Sequence, residues 1–514
     1  EVKRQGIAPA NIAVRHTAHL RAPNMPHALP IPFGSTAAMK KAFTAAHRQR
    51  FGFVPTSKAL LLDMLTAEAV GTIDAPTANA PTANAPTAGA PTAGAPAAGA
   101  PTRARMFAAK AWRDVPLWQR SAIAEGDVIA GPAIIAEPTA TTIVEPGWRA
   151  HAMRGGGLLL RRAAARRRDA VGTKADPVML EVFHNLFMSV AEQMGARLAN
   201  TAASVNIKER HDFSCAIFDA RGALVANAPH VPVHLGSMGE SVRMVRRANA
   251  GAIRAGDVFM MNNPYNGGTH LPDVTVITPV FDAQKKRILF WTASRGHHAD
   301  IGGTTPGSSP PDSTHIDEEG VLIDNFRLVQ RGRLRARAAR ALFASGRWPG
   351  RNIDDNMADL TAQIAANAAG AHALSALVRQ FGLPVVRAYM RHIQDNAEDN
   401  VRRVLGVLKD SAFTHRLDSG AQIQVRLSVN RKNRTARVDF TGSSAQDSGN
   451  YNAPFAVCRA VVLYVFRALV GVEIPLNEGC LKPLAIRAPH GSLVHPAHPA
   501  AVIAGNTEVS QAIA

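Results

Sequence analysis

The stretch that decides the fold is NNPYNGGTHLPDVTVITPVFDAQKKRILFWTASRGHHADIGG, residues 262–303. Val274 to Phe281 and Arg287 to Ala293 are apolar, β-branched runs, and the polar segment between them, Asp282 to Lys286, has the length of a hairpin loop. Two antiparallel strands are expected. Counting back along the ladder from the turn brings the residues just before Val274 opposite those just after Ala293, so His270 and Asp273 face His297 and His298. Each side carries His-x-x-Asp, as His270 to Asp273 and His297 to Asp300. Imidazole and carboxylate donors converging at an open hairpin end suit a divalent metal such as zinc, manganese or iron, with a position left for water or substrate. One such pair alone would read as a loop histidine bonded to its own aspartate; two at one hairpin mouth favour a metal or catalytic role.

The flanks extend the candidate site. Asn263, Tyr265, Gly267 and Gly268 lie on a loop that can bring backbone N–H groups close to a ligand, although ordinary turn chemistry uses the same residues. Glu318 and Glu319 follow a Pro-stiffened loop and, with His298, are the candidates for proton transfer; solvated acidic residues are the plainer alternative for the two glutamates. His230 and His234 are four apart but separated by Pro232, which excludes two ligands on one regular helical face; on an irregular turn both would point into a pocket. Gly236, Ser237 and Met238 then begin a helix. Cys215, alternating on a strand, reads as core and not as nucleophile.

Composition sets the wider frame. The 514 residues exceed one ordinary core, and 46% hydrophobic with 19% charged residues argues for globular structure. The formal charge of +19 raises a nucleic-acid partner. However, the arginine runs at 161–168 and 331–340 carry no interleaved aromatic residues, so a solvated linker and a solvated helix face are expected, with no nucleic acid. Three scattered cysteines support neither disulfides nor a thiolate metal site, and no apolar run reads as a membrane span, so a cytoplasmic protein is expected.

The expected fold class is mixed α/β (α+β). Residues 1–74 and 102–160 read as a small β-rich unit interrupted by the Ala/Pro/Thr repeat 75–101, a disordered insert; 161–174 is a basic linker; 175–514 is a larger mixed domain. In that domain Asp176-Pro177 marks a helix start, with Val178, Val182, Phe183, Leu186, Val190, Met194 and Leu198 on its buried face. Two long helices are expected at 352–380 and 384–408.

Several long segments carry a resemblance. ERHDFSCAIFDARGALVANAPHVPVHLGSMG (209–239), the 262–281 segment, SRGHHADIGGTTPGSSPPDST (294–314), DFTGSSAQDSGNYNAP (439–454) and IPLNEGCLKPL (474–484), in this order, resemble the hydantoinase B/oxoprolinase family. LPIPFGSTAAMKKAFTAAHRQRFGFV (29–54) and GDVIAGPAIIAEPTATTIVEPGWRA (126–150) are similar to the C-terminal end of the partner family, hydantoinase A/oxoprolinase. That A-before-B order is like the single-chain ATP-dependent 5-oxoprolinases.

The resemblance implies ATP-driven opening of 5-oxo-L-proline to L-glutamate, with ATP bound by the A half and hydrolysis completed by the B half. N-methylhydantoinase or ATP-dependent ketone carboxylase chemistry is the neighbouring alternative, and a non-catalytic assembly remnant is the alternative of another class. Related carboxylases bind a divalent metal through His and Asp, which here match His270, Asp273 and either His297 or His298; Mn, Zn or Mg is expected. No G-x-x-x-x-G-K-[ST] loop occurs in the chain and the actin-like ATP-binding portion is absent. The chain is therefore read as a fragment, inactive alone, whose partners are a cyclic amide, the missing A-like ATPase half and further copies of itself.

Overall fold

The computed structural model describes residues 2–5, 8–23, 28–51, 59–71, 100–109, 111–163, 171–228, 231–471, 474 and 476–514. The Ala/Pro/Thr repeat up to residue 99, residues 164–170 of the basic linker and His230 lie outside the described residues. The chain divides into two compact units, one of Glu1–Arg15 with Ala67–Ala170, the other of His16–Thr66 with Val171–Ala514.

Strands β1 (Ile12–Arg21) and β2 (Leu29–Pro32) pair antiparallel, followed by helix α1 (Thr36–Phe51) and strand β3 (Leu61–Gly71). The sequence grouped residues 1–74 with 102–160. The structure instead groups His16–Thr66 with the larger unit, because Leu29, Ile31, Phe43 and Phe51 are buried in one core with Leu271, Val274 and Ile301.

The smaller unit holds β4 (Thr102–Ala108), β5 (Ala111–Gln119), β6 (Val128–Ala130), β7 (Ala133–Ala136), β8 (Thr141–Val144), β9 (Trp148–Ala152) and β10 (Leu158–Arg162). These form sheets of order β4-β5-β7-β8 and β10-β9-β6. Alternating Ala133, Ile135, Ala150 and Ala152 face its core, as period-two burial requires. Arg161 and Arg162, expected in the linker, end β10.

In the larger unit α2 (Pro177–Ala199) starts as its sequence dictates, with the Asp176 carboxylate accepting from Met179 N at 2.8 Å and Pro177 in the first helical position. Its buried face is the expected one from Phe183 onward, with Phe187 added and Leu186 half-buried. Phe183, Phe187, Val190, Met194 and Leu198 are buried, whereas Val178 and Val182 are exposed on the outer side of the first turns.

After α3 (Val205–Lys208) come β11 (Phe213–Asp219), β12 (Leu224–Asn227), α4 (Pro232–Ala248), β13 (Val258–Met261), β14 (Asp273–Phe281), β15 (Ile288–His297), β16 (Phe326–Gln330) and β17 (Arg333–Leu334). The seven strands form one sheet in the order β12-β11-β15-β14-β13-β16-β17, antiparallel throughout.

Helices α5 (Ala336–Phe343), α6 (Ile353–Phe381) and α7 (Leu383–Leu405) follow, then β18 (Ser411–Arg416), β19 (Gln422–Asn430), β20 (Thr435–Asp439), α8 (Phe455–Leu469) and β21 (Leu484–Arg487), the last four strands making a second sheet.

The seven-stranded sheet is covered on both faces, so its strands are apolar almost throughout. On one face α6 lies against β14 and β15, where Gln363 Nε2 donates to the carbonyls of Val274 and Ser294 and Asn367 Nδ2 donates to that of Val276. On the other, Met238, Val242 and Val245 of α4 pack with Phe218, Ile277, Trp291 and Ala293. Side chains at 273, 275, 295 and 297 therefore face α4, and those at 294 and 298 face α6.

Candidate metal centre

The β14–β15 ladder pairs Asp273 with His297 and Thr275 with Arg295. The expected hairpin register thus places Asp273 and His297 on one face. Asp273 is fully buried. Its Oδ2 accepts from Thr269 Oγ1 at 2.7 Å and from His234 Nε2 at 3.0 Å, while His270 Nδ1 lies 3.2 Å away. Its Oδ1 is 3.4 Å from His297 Nδ1. One ligand atom each from His270, Asp273 and His297 lies within 4.8 Å of the others.

The donor set fits a divalent cation on a specific ground. Asp273 Oδ1 and His270 Nδ1 are buried and neither has a hydrogen-bond partner among the described residues, despite their short separations from neighbours. A buried carboxylate oxygen and a buried imidazole nitrogen left unpaired in this way are costly. A cation held by His270, Asp273 and His297 would remove that cost. Thr269 and His234 would then serve as partners that orient the ligating carboxylate.

Electrostatics follow the same geometry. Burial alone would raise the Asp273 carboxyl, but the His234 and His270 imidazoles beside it hold it well below its ordinary value. Burial keeps His270 below its ordinary value against the pull of Asp273. For His297 burial is outweighed by the Asp273 carboxylate beside it, and its imidazole is raised. Its side chain is 19% exposed, so the centre reaches solvent on the His297 side, next to Asp212.

The other candidates are placed elsewhere. Asp300 does not join the cluster: its Oδ1 accepts from Gly302 N at 2.9 Å, and its Oδ2 accepts from Gly307 N at 3.0 Å and Arg351 Nη1 at 2.8 Å. His298 points to the opposite sheet face, buried between Gln363 Oε1 and Asn356 Nδ2 at 3.2 Å each, and burial lowers it. Strand alternation puts His297, and not His298, on the face of Asp273.

Glu318 accepts from the backbone of Thr314 and His315 at 2.7 and 3.1 Å, closing a capping box. Glu319 is buried, with Oε1 accepting from Val502 N, Ile503 N and Ser313 Oγ, and burial pushes its carboxyl up to about 7. No bond among the described residues joins either glutamate to Asp273.

Asn263 caps its own turn by accepting from Tyr265 N at 3.0 Å, and the Tyr265 hydroxyl donates to the Ala500 carbonyl. Gly267 and Gly268 serve close packing: an added Cβ at 268 would sit 2.2 Å from Asn262 O, and one at 267 only 2.9 Å from the backbone of α4. His234 departs from the expectation in a useful way. Pro232 does not break a helix but opens one, at the first position of α4, which turns His234 onto Asp273 with its Nδ1 3.2 Å from Ser214 Oγ. Cys215 is buried in the sheet, and burial pushes its thiol up.

Arg295 was not singled out from the sequence. It is fully buried one rung behind the Asp273–His297 pair, and burial lowers it to about 10 against the pull of Asp273. The available signal was an arginine inside an apolar strand, two residues before a candidate ligand and so on the same face.

A sheet covered on both faces, with a buried His/Asp cluster at the mouth of its central hairpin, defines a mixed α/β protein with a candidate metal centre. Residues 176–514 match the family model described as hydantoinase B/oxoprolinase, and 71–153 match that of the hydantoinase/oxoprolinase C-terminal domain. The chain belongs to the hydantoinase B/oxoprolinase family.

It is 43% identical over 407 residues to a 5-oxoprolinase of Dictyostelium discoideum, covering 77% of this chain and 32% of that protein. It is 37% identical over 486 residues to a 5-oxoprolinase of Saccharomyces cerevisiae, covering 92% of this chain and 38% of that one. The chain thus spans about a third of the length of these curated relatives. Among solved structures, an ATP-dependent caprolactamase from Pseudomonas jessenii superposes with a TM-score of 0.59 at 26% identity, covering 66% of this chain and 59% of that one. A nucleotide-free acetone carboxylase superposes with 0.55 at 17% identity, covering 64% and 46%, a likeness of fold. No helix among the described residues is long and apolar enough to cross a membrane.

Proposed function

We propose that this chain supplies the hydrolytic half of an ATP-dependent lactam hydrolase that opens 5-oxo-L-proline to L-glutamate. The observation that carries the reading is the pair of unpartnered buried atoms, Asp273 Oδ1 and His270 Nδ1, beside His297. The names of the relatives supply the substrate. An ATP-binding A-like half provides the phosphoryl group, because an unactivated lactam has a resonance-stabilised carbonyl and a poor leaving group. With its carbonyl oxygen phosphorylated, the ring carbon accepts water, the C–N bond breaks with the nitrogen leaving as an amine, and a second water releases phosphate from the acyl phosphate.

A divalent Mn, Zn or Mg at the centre would lower the pKa of a water and polarise the carbonyl. His270, Asp273 and His297 are the residues that would hold it. Thr269 and His234 fix the Asp273 carboxylate through its Oδ2. His297 borders the side open to solvent, where water and substrate approach. The buried Asp273, Thr269 and His234 keep competing water away from the rest of the site.

The test has two arms. Wild-type chain purified without chelator is expected to hold close to one equivalent of divalent metal, and His270→Ala and Asp273→Ala to lose most of it; unchanged metal content in both variants refutes the centre. Combined with an A-like half, wild type is expected to release ADP and glutamate from 5-oxoproline. Turnover of caprolactam or a hydantoin but not of 5-oxoproline would reassign the substrate and leave the centre standing.

A further inference from the structure

The formal charge of +19 is concentrated in places. A cavity of about 720 Å³ opens where the C-terminal end of α4, the β14–β15 turn and the first turns of α7 meet, and its wall carries Arg246, Arg247, Arg254, Lys286, Arg287 and Arg387. No carboxylate lines it, and Phe281, Ile288 and Trp291 supply an apolar floor.

Half of these cations have internal partners. Arg287 Nε is 3.3 Å from Asp282 Oδ2, Arg254 Nη1 donates to the Gly251 and Ile253 carbonyls, and Arg247 stands 3.8 Å from Glu240. Asp282 has little left to offer, since its Oδ1 already accepts from the backbone of Lys286 and Arg287. The side chains of Arg246, Lys286 and Arg387 make no hydrogen bond or ion pair among the described residues.

Negative carbonyl ends at the C-terminus of α4 offset Arg246 and Arg247 in part. They do nothing for Lys286 and Arg387, which come from other elements. Like charges gathered in a concavity over apolar walls reinforce one another's field. A polyvalent oxyanion relieves that repulsion, and guanidinium forks from several directions match phosphate oxygens. The volume is that of a small-molecule site. The cavity sits at the turn end of the hairpin, whereas Asp273 begins β14 at the other end, about 25 Å away along the strand.

We propose that this cavity binds a small polyphosphate anion at a site separate from the His/Asp centre. Inorganic tripolyphosphate is the probe. Calorimetric titration of the whole chain is expected to give saturable binding of one anion per chain, weakening as salt is raised. Arg246→Gln with Arg387→Gln should lower the affinity at least tenfold, while the exposed control Lys432→Gln should leave it unchanged. Circular dichroism confirms that both proteins are folded. Absence of saturable binding overturns the proposal, as does equal weakening by the control. Binding only of long polyanions, at a stoichiometry set by polymer length, overturns it as well, because it marks a diffuse basic surface.

Discussion

Arg295 has only neutral hydrogen-bond partners, and the nearby Asp273 carboxylate offsets the cost of its burial only in part. Its Nε donates to Thr275 Oγ1 at 2.7 Å, Nη1 to Ser237 Oγ, and Nη2 to Ser241 Oγ at 2.9 Å and the Gly267 carbonyl at 3.4 Å. One guanidinium thus ties β14, α4 and the 263–268 loop together one rung behind Asp273. A lysine keeps the charge but cannot span three hydroxyls from one ammonium. Arg295→Lys is expected to cost about 1.5–3 kcal/mol in urea unfolding, the range for hydrogen bonds to a charged group; an unchanged midpoint would show that the fork contributes nothing. Glu319 gives a pH prediction of definite sign. Its folded value of about 7 lies above the ordinary 4.5, so its contribution to stability is whole below about 4.5 and is lost as pH rises through about 7. Glu319→Gln keeps the acceptor for Val502 N and Ile503 N without the charge. Relative to wild type the variant should gain on the order of 3 kcal/mol between pH 4.5 and 7. Parallel stability curves across that window would contradict the buried ionisation.

At the scale of elements, the hairpin was legible because two apolar runs and a polar turn leave one register, and that register carries Asp273 to His297. Two things were not legible. Asp300 follows the end of β15, where no ladder constrains it, and four backbone and side-chain donors on its own loop and at Arg351 take its carboxylate. Proline at 232 has two opposite meanings, breaker or first helical residue, and only the packing of α4 on the sheet chooses between them. On its α8 side the helix is tightly packed at Gly236, where an added Cβ would stand 2.4 Å from Ala460 Cα of α8. Helix propensity alone makes Gly236→Ala favourable by about 1 kcal/mol. Backbone atoms at that distance cannot yield, so the contact decides, and the variant is expected to lose about 1–3 kcal/mol. Because His234 lies two residues away on the same helix, metal retention should fall in the same protein. A more stable variant with full metal content would mean that α4 can slide on α8.

At the scale of the molecule, the resemblance and the structure divide the chain differently, and the difference has a measurable consequence. Residues 29–54 resemble the A-family end, yet α1 and β2 are packed in the core that underlies the His270 loop. Sequence patterning could identify α1 as amphipathic but not which sheet it covers, since partner choice depends on tertiary contacts that periodicity does not encode. Phe43 is 2% exposed in that shared core with Leu271 and Val274. Truncating it removes apolar contacts and leaves a cavity, for a cost of about 3–5 kcal/mol. If His16–Thr66 belongs to the larger unit, Phe43→Ala should raise amide exchange in β14 and β15 and weaken metal retention, while leaving the strands of 102–162 as protected as before. Loss of protection confined to 102–162 would return the segment to the smaller unit, and the core around His270 would then have to be complete without it.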